Sequence, residues 1–426
     1  MFRGSFFIQT LAVDRLYATM RSPPHPMSPR LRAGLVMFLN FFAWGVYLVP
    51  MGKYLTKAFP GDTAIIGLAY GVGPLAAMIS PLIAGWIADR ALAPRKLLAL
   101  LSLVAALLIA LIPFVQSAAQ FQALLLAHSL CFFAALPILN SVVMASLEDP
   151  AKSFGSIRLW GTIGWIGSGL LIGSVLSRWD SEIATGPWTF RLAGLALIGV
   201  AMLSPALADP LPSKDTKSSG GISGYAILGD AKFLVFLVCS CLFCIPLALY
   251  YSYANFFLST AGLADSESWM TLGQVSEVIF LALLPFVLVR FSAKTVLLVG
   301  MACWALRYAL FGYANGASLM LLTGVALHGL CYDFFFVTGM LYADKLAPAG
   351  MRNTAQAIVS WATLGLGMWI GNMIAPLLHA RYIHVVDGKT VFDPMFWLVP
   401  AGFAAVLLVL FAIIFRDNSR LTTETA

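Results

Sequence analysis

The stretch DPLPSKDTKSSGGISGYAILG (209–229) divides the chain into two parts, each with six long apolar runs. Proline, serine, glycine and lysine dominate this stretch, which is typical of a polar linker. Each apolar run is long enough for the roughly 20 residues of helix that cross a bilayer. The predicted spans are 31–54, 63–87, 96–115, 118–146, 156–178, 188–208, 231–259, 268–291, 295–314, 317–344, 354–382 and 393–415.

The composition indicates an integral membrane protein. Of the 426 residues, 60% are hydrophobic and 11% are charged, whereas a soluble domain carries about 25% charged residues. In lipid, the backbone polar groups must be satisfied within a helix or a closed barrel. The apolar runs are continuous rather than alternating, and they therefore predict helices.

The distribution of basic residues predicts the orientation. Of the 26 lysines and arginines, 18 lie at the two termini or in the loops that follow even-numbered spans. Six lie on the opposite side, and these are Lys53, Lys57, Arg178, Arg191, Arg381 and Lys389. Because basic loops stay in the cytoplasm, we expect a multi-pass membrane protein with both termini cytoplasmic. The net charge of +7 is then an orientation signal and does not indicate nucleic-acid binding.

The predicted organisation has five parts. Residues 1–30 are expected to be an N-terminal extension without regular structure, and residues 416–426 a cytoplasmic tail. Residues 31–208 and 230–415 are expected to form two six-helix bundles, joined by the cytoplasmic linker at 209–229. The fold class is therefore an all-α integral membrane protein with twelve transmembrane helices. An even division with both ends on one side is typical of two bundles related by an axis along the membrane normal.

The turn after the second span carries the sequence GWIADRALAPRK (85–96). It resembles the loop motif of the major facilitator superfamily of transporters, in which a glycine precedes an Asp-Arg pair and further basic residues. The resemblance implies that Asp89 caps a neighbouring helix and that Arg90 belongs to a cytoplasmic gate. The alternative is that these residues are ordinary positive-inside charge.

Glycines recur in the fifth and eleventh spans, which are equivalent in the two bundles. The pairs Gly169 and Gly173, and Gly367 and Gly371, predict that helices approach closely there. In a transporter, such contacts would lie where the two halves move against each other.

Four charged residues lie alone inside apolar spans, and they are Arg158, Glu277, Arg307 and Asp333. A charge at the centre of a bilayer costs from roughly 3 to more than 10 kcal/mol. Such residues are rare, are usually paired and often carry transport. We therefore expect pairing between helices.

The fifth span places Arg158, Thr162 and Trp165 at i, i+4 and i+7, on one helical face. A planar donor, a hydroxyl and a flat aromatic surface together can hold a polar ligand that contains a ring. The alternative for Arg158 is a side chain that extends to lipid headgroups near the cytoplasmic end.

The eighth and ninth spans carry the next two charges. Gln274 and Glu277 are at i and i+3 and share a face. The Glu277 carboxyl must be protonated, meet an arginine from another helix or face water. Arg307 is expected to be structural, in an ion pair with Asp333 or Glu277.

The tenth span places His328 and Tyr332 at i and i+4, with Asp333 beside them. A carboxyl group among apolar side chains, or an imidazole, can load and release a proton. The alternative for His328 is a hydrogen-bonded structural histidine. Asn140, in the fourth span, is a further candidate for ligand binding.

No cofactor or metal is expected. The pattern Cys239-x-Cys241-x-x-Cys244 lacks a second cluster and lies in an apolar helix, so we interpret these cysteines as buried free thiols.

Four blocks of sequence carry a resemblance to a family. They are IRLWGTIGWI (157–166), QVSEVIFLALLPFVLVRF (274–291), CWALRYALFGY (303–313) and YDFFFVTG (332–339). From about residue 30 onward the chain resembles the bacterial nucleoside:proton symporters, which implies a location in the bacterial inner (plasma) membrane. The resemblance implies that the positions that bind nucleoside or couple protons are Arg158, Thr162, Trp165, Gln274, Glu277, His328, Tyr332 and Asp333.

The chain also departs from the family pattern. In the seventh span, Ala248 and Tyr251 stand where amide side chains are familiar, and His328 stands in place of a tyrosine. The lost amides could change which nucleoside binds, or whether the ligand is a nucleoside.

The function we predict is proton-coupled import of a nucleoside by alternating access, with Glu277 or Asp333 as the proton carrier. The expected partners are a small-molecule substrate, the proton and the lipid bilayer, with no nucleic acid and with the chain as a monomer. One alternative is a transporter of another small solute, such as a nucleobase, a sugar or a drug. A more remote alternative is a membrane-embedded enzyme, but the sequence carries no metal cluster and no glycine-rich phosphate loop.

Overall fold

The computed structural model describes residues 27–210, 227–347, 352–417 and 420–421. In this part of the chain twelve helices are long and apolar enough to cross a membrane, as predicted. We number them α1 Pro29–Ala58, α2 Ile65–Ala88, α3 Pro94–Phe114, α4 Ala118–Ala145, α5 Lys152–Arg178, α6 Trp188–Ala206, α7 Ala231–Thr260, α8 Ser266–Arg290, α9 Ala293–Tyr313, α10 Ser318–Leu346, α11 Thr354–Tyr382 and α12 Met395–Ile414.

Two strands, β1 Ile383–Val386 and β2 Lys389–Phe392, form an antiparallel hairpin between α11 and α12. The sequence analysis did not predict this hairpin. Most of the predicted extension (1–30) and most of the predicted linker, at 211–226, lie outside the described residues; the end of that extension is helical, since α1 begins at Pro29.

Short polar side chains begin several of the helices. The residues before five helices accept hydrogen bonds from backbone N–H groups two or three positions later; they are Ser28, Ser117, Asp149, Asp230 and Ser292. The first N–H groups of a helix have no partner within the helix, so these caps satisfy groups that lipid could not.

Four helices are irregular at defined places. Helix α1 is interrupted between Leu48 and Met51, next to Pro50, which has no backbone N–H to donate. The Tyr70 hydroxyl of α2 repairs this break, since it donates to the Leu48 carbonyl at 2.6 Å and accepts from the Gly52 N–H at 3.2 Å. Wide π-helical turns interrupt α5, α10 and α11 at Leu171–Val175, Asp333–Val337 and Trp361–Gly367.

The same helix pairings occur in both halves of the chain. In the first half α1 packs on α5, α2 on α4 and α3 on α6; in the second half α7 packs on α11, α8 on α10 and α9 on α12. Between the halves, α5 packs on α8 and α2 packs on α11. This repetition is the pattern expected of two six-helix bundles related by a two-fold axis. It agrees with the predicted fold class.

The molecule has two faces, to which we refer below. The linker face carries Asp209 and Asp230, which flank the linker, and the hairpin face carries the β1–β2 hairpin. Near the hairpin face, glycines let the halves approach each other. A Cβ atom on Gly169 of α5 would lie 2.8 Å from the Glu267 carbonyl oxygen of α8. A Cβ on Gly67 of α2 would lie 2.6 Å from the Asn372 carbonyl oxygen of α11.

Both glycine pairs let helices approach closely, as predicted, but only one pair lies between the halves. Gly173, like Gly169, meets the other half, because its Cβ would lie 2.6 Å from the Ser268 backbone nitrogen. Gly367 and Gly371 instead face α7, in their own half. In the α2–α11 contact both helices supply glycines: Gly67 and Gly71 of α2 face α11, and Gly365 of α11 faces Met78 of α2.

Polar groups also join the halves near the hairpin face. Lys53 of α1 lies 2.7 Å from the Glu267 carboxylate of α8, and only 3% of the Glu267 side chain is exposed. Asn255 of α7 donates both to Glu267 and to the Val49 carbonyl, at 2.9 and 3.1 Å. We call Lys53, Asn255 and Glu267 the hairpin-face gate. Removing only one partner of a buried, hydrogen-bonded ion pair is strongly destabilising, because the other charge stays buried without a partner.

The close contact at Gly169 predicts a difference between two substitutions on one helix. Gly169→Ala should lower the thermal stability of the purified protein, because the new methyl group overpacks α5 against α8 by about 1–3 kcal/mol. Gly155→Ala, where the added Cβ meets nothing within 4 Å, should be neutral or stabilising, since alanine favours helices. Thermal unfolding in detergent measures both. Equal effects of the two changes would contradict the described α5–α8 contact.

Candidate functional site

A cavity of about 1270 Å³ lies between the two halves. Its lining residues come from α1, α2, α4, α5, α7, α8, α10 and α11, and from Leu228 before α7; none comes from α3, α6, α9 or α12. The cavity reaches the linker face, where Leu228, Leu237 and Thr354 line it. At the hairpin face the contacts between the halves close it.

The cavity brings the predicted binding residues of both halves together. All eight line it: Asn140, Arg158, Thr162, Trp165, Gln274, Glu277, His328 and Tyr332. Four come from the first half and four from the second, which no sequence spacing could have shown. Their roles in binding stay predictions.

Glu277 and His328 form the ionisable pair of the cavity. The His328 Nε2 atom lies 4.0 Å from a Glu277 carboxylate oxygen. The backbone holds both residues in place, since the Gly329 N–H donates to the Ser276 hydroxyl at 2.9 Å. A Cβ on Gly273 would lie 3.1 Å from the His328 Cβ, so glycine lets the imidazole approach α8. Of the three alternatives for Glu277, an ion pair with an arginine is not formed among the described residues; the carboxyl group borders the cavity and has a histidine beside it.

Arg158 faces Glu277 from the other half without touching it. Its guanidinium carbon lies 4.2 Å from the centre of the Phe41 ring. Arg158 and Glu277 attract each other electrostatically, but they do not form a direct ion pair. A cation from one half and a carboxyl group from the other therefore border the same space.

Aromatic rings line the first half of the cavity. Trp44 lies edge-on to Trp165, with 5.4 Å between ring centres and 80° between planes, and edge-on to Phe133 at 5.4 Å. Flat apolar surfaces of this kind can hold a planar ring, while hydroxyl and amide groups fix its orientation.

The last two charged residues inside the spans, Arg307 and Asp333, do not form the predicted ion pairs. Among the described residues Arg307 makes no ion pair with Asp333 or Glu277, and its guanidinium makes no hydrogen bond. It lies 4.1 Å from the centre of the Tyr250 ring. Asp333 does not line the cavity; it is 1% exposed, and both carboxyl oxygens have no hydrogen-bond partner within the described part of the chain. The expected pairing is therefore wrong for Arg307.

The gate predicted from the loop motif stays untested. The Arg90 guanidinium lies 5.5 Å from the centre of the Trp86 ring, and the side chain of Asp89 lies outside the described residues. Arg95 of the same motif pairs with Asp209 at 3.1 Å, which joins the start of α3 to the start of the linker.

Sequence reasoning missed several residues that the fold places at the site. Trp44 and Tyr251 line the cavity, and neither is among the predicted binding residues. The charge distribution uses Lys53 only as an orientation signal and assigns no role to Glu267, but the fold pairs the two side chains between the halves. The only sequence signal for such a pair is that two residues of opposite charge lie at span ends on the same side of the membrane. Many residues meet this criterion, so it does not identify a pair.

The cysteines are free, and the described residues include no group of three or more His, Cys, Asp or Glu side chains that could hold a metal. Cys241 lines the cavity, whereas Cys244, one turn later, is fully buried.

The cavity predicts selective labelling among these cysteines. In variants that keep one cysteine each, a charged, membrane-impermeant thiol reagent added at the linker face should modify Cys241 about tenfold faster than Cys244, because only Cys241 borders the cavity. Mass spectrometry of the labelled protein measures the rates. Cys239, which is half-buried outside the cavity lining, is the matched control. Labelling of Cys239 as fast as Cys241 would contradict a water-filled cavity.

Comparison with known proteins gives the family. The sequence profile described as nucleoside H+ symporter matches residues 27–420. The chain is 36% identical over 411 residues to YegT of Escherichia coli (strain K12), which is provisionally described as a nucleoside transporter. That match covers 92% of this chain and 95% of YegT. The chain is 28% identical over 414 residues to the xanthosine permease of the same organism, covering 92% of this chain and 97% of the permease.

A solved structure gives the same fold. The crystal structure of the nucleoside transporter NupG superposes with a TM-score of 0.82 and 23% identity, covering 92% of this chain and all of that one. At this identity the likeness concerns the fold, and it confirms the predicted two-bundle architecture. The profile match and the similarity to YegT both extend over nearly the whole length, and the chain belongs to the nucleoside H+ symporter family.

Proposed function

We propose that the protein imports nucleosides together with protons across the bacterial inner membrane, as a monomer with both termini in the cytoplasm. The observation that carries the proposal is the cavity between the halves, which reaches one face and is lined by charged and aromatic side chains from both halves. Secondary transporters bind substrate near the midplane, at the interface between their repeats.

The cavity offers a nucleoside two kinds of contact. Trp165 and Tyr332, with Trp44 beside them, would flank the base, because aromatic rings favour planar ligands. Thr162, Asn140 and Gln274 would bond the base or the ribose, since hydroxyl and amide groups both donate and accept.

Two carboxyl groups are available for the proton, and they have different surroundings. Glu277 faces the cavity beside His328, and Asp333 begins the π-helical turn of α10 without a hydrogen-bond partner among the described residues. A π-helical turn frequently marks a functional site in a helix. Protonation of either group removes a charge from the membrane interior, and it thereby changes the relative stability of the transporter's states.

The proton gradient supplies enough free energy. A membrane potential of 100 mV contributes about 2.3 kcal/mol per charge. One pH unit contributes about 1.4 kcal/mol. One proton per nucleoside would thus support roughly 500-fold accumulation.

The contacts between the halves support alternating access. With the hairpin face closed and the cavity reaching the linker face, the described conformation would be open to the cytoplasm. To admit substrate from outside, the hairpin-face gate must open, and Lys53 must separate from Glu267.

One observation favours a second cargo. Tyr251 lines the cavity in place of an amide side chain, and Ala248 is fully buried. The cavity then has fewer amide groups that can form hydrogen bonds with a base. A nucleobase or a sugar is therefore the alternative substrate.

The first test measures transport directly. In inside-out and right-side-out vesicles, labelled uridine, adenosine or xanthosine should accumulate when a proton gradient is imposed, and a protonophore should abolish accumulation. A nucleobase and a sugar serve as competing cargoes in the same assay. The proposed function would be falsified if no nucleoside were bound or moved; accumulation of only the nucleobase or the sugar would support the second cargo.

The second test assigns the proton. Asp333→Asn should leave nucleoside binding within about threefold of wild type and abolish accumulation against a gradient, because Asp333 does not line the cavity. Glu277→Gln should weaken binding as well, since Glu277 borders it. Binding to purified protein and uptake in vesicles separate the two effects. Full proton-driven accumulation by the double variant would refute both carboxyl groups as carriers.

The third test addresses the hairpin-face gate. Glu267→Gln leaves Lys53 without its carboxylate, and breaking a buried pair at one side costs about 3–5 kcal/mol. The outward-open state should gain population, which raises labelling by a reagent added outside in the Ser174→Cys background, where the new thiol replaces a hydroxyl that lies 2.6 Å from the Ser268 hydroxyl of the other half. The charge-exchanged variant with Lys53→Glu and Glu267→Lys should recover much of the closure, and equal labelling of all three proteins would argue against the gate.

A further inference from the structure

We propose that Arg307 is a positioning residue that acts through Tyr250 and His328 on the Glu277 carboxyl group in the cavity. The inference rests on the proposed function, because it assumes that Glu277 receives a hydrogen-bond donor of the nucleoside. It gives a transport role to a helix, α9, that contributes nothing to the cavity lining.

The first step is the environment of Arg307. Its side chain is fully buried, and no described group accepts a hydrogen bond from any of its three guanidinium nitrogens. A guanidinium group remains charged in proteins, so a fully buried one requires a compensating interaction. The ring face of Tyr250, 4.1 Å from the guanidinium carbon, provides it as a cation–π contact.

The second step leads from Tyr250 to the cavity wall. The Tyr250 ring, 2% exposed, stacks with the His328 imidazole at 5.6 Å between centres and 18° between planes. Phe311, one turn after Arg307 on α9, also lies parallel to Tyr250, at 6.3 Å and 9°. Tyr250 is therefore held by α9 and in turn presents a flat surface to His328.

The third step leads from His328 to Glu277. With Nε2 at 4.0 Å from the carboxylate and Nδ1 without a hydrogen-bond partner among the described residues, no hydrogen bond of its own fixes the imidazole plane. The backbone at Gly329 fixes the position of the residue, but a side chain can still rotate about its own bonds. The imidazole also contacts the rings of Tyr251 and Tyr332, and its parallel stack on Tyr250 is the contact that links its plane to α9.

This arrangement has a consequence for binding. If Arg307 is removed, Tyr250 keeps Phe311 as its parallel neighbour but loses the cation over its ring. The planes of Tyr250 and His328 are then less restricted, and the Glu277 carboxyl group faces a less ordered neighbour. A ribose hydroxyl or a base N–H that donates a hydrogen bond to Glu277 would then meet a less ordered carboxyl group. Affinity should fall, because the free-energy cost of ordering that group is now part of binding.

The experiment is a double-mutant cycle on the full-length protein in detergent, with uridine binding as the readout. Arg307→Met keeps a long side chain but removes the charge. We expect it to weaken uridine binding about tenfold in Kd, because it removes a buried cation–π contact. In the His328→Gln background the same change should alter Kd less than twofold, because the pathway is already interrupted.

Two controls separate this role from general destabilisation. Combined with Thr162→Val, in the other half of the cavity, Arg307→Met should keep its full tenfold effect. Arg191→Met removes another cation–π contact, at 4.9 Å over Trp188 and exposed near the hairpin face, and it should leave Kd unchanged. Thermal unfolding shows whether each variant is folded. If Arg307→Met does not fold, Arg307→Lys, with a weaker effect of about threefold, serves in the same cycle.

The outcomes are distinct. Loss of the Arg307 effect in the His328→Gln background supports the inference. An equal effect in both backgrounds, or unchanged affinity in Arg307→Met, overturns it while nucleoside binding by the wild type still supports the proposed function. If the wild type binds no nucleoside, the proposed function fails first, and the inference fails with it.

Discussion

A bilayer does not solvate charge, and the rest of this structure depends on that constraint. The charged groups inside the membrane lie in two kinds of place. Lys53 with Glu267, and Glu277 with His328, lie at the interface between the halves. Arg307 and Asp333 lie inside the second half, Arg307 against the ring of Tyr250 and Asp333 without a hydrogen-bond partner among the described residues. The interface thus holds the charged groups that have an ionisable neighbour, and it is also the part that must open and close.

Helix α8 connects closure with binding. Glu267 of the gate and Glu277 of the cavity lie ten residues apart on it, which corresponds to about 15 Å of helix. Gly169 and Gly173 of α5 press against the gate end of α8, and Arg158 and Thr162 of α5 line the cavity. If α5 and α8 move as rigid helices, an opening between them at the hairpin face also changes the distance between the residues that they contribute to the cavity.

The sequence predicted the fold because the fold follows from local properties. Twelve long apolar runs and a polar stretch at 209–229 are readable without any contact between distant residues. The family resemblance and the two-bundle architecture are confirmed by the family profile and by the likeness to NupG. Helical periodicity also placed Arg158, Thr162 and Trp165 on one face, and all three line the cavity.

The tertiary structure decided which charges meet. Sequence determined the kind and depth of each charged residue, but not its partner, because helices far apart in the chain bring the partners together. Arg307 was expected to meet a carboxylate and instead meets the ring of Tyr250. For Glu277 the sequence left three alternatives open, and the fold places the carboxyl group at the cavity beside His328. Lys53 and Glu267, 214 residues apart, form a buried pair that neither local sequence reveals. Periodicity along one helix fixes a face, whereas only the packing of helices fixes what that face touches.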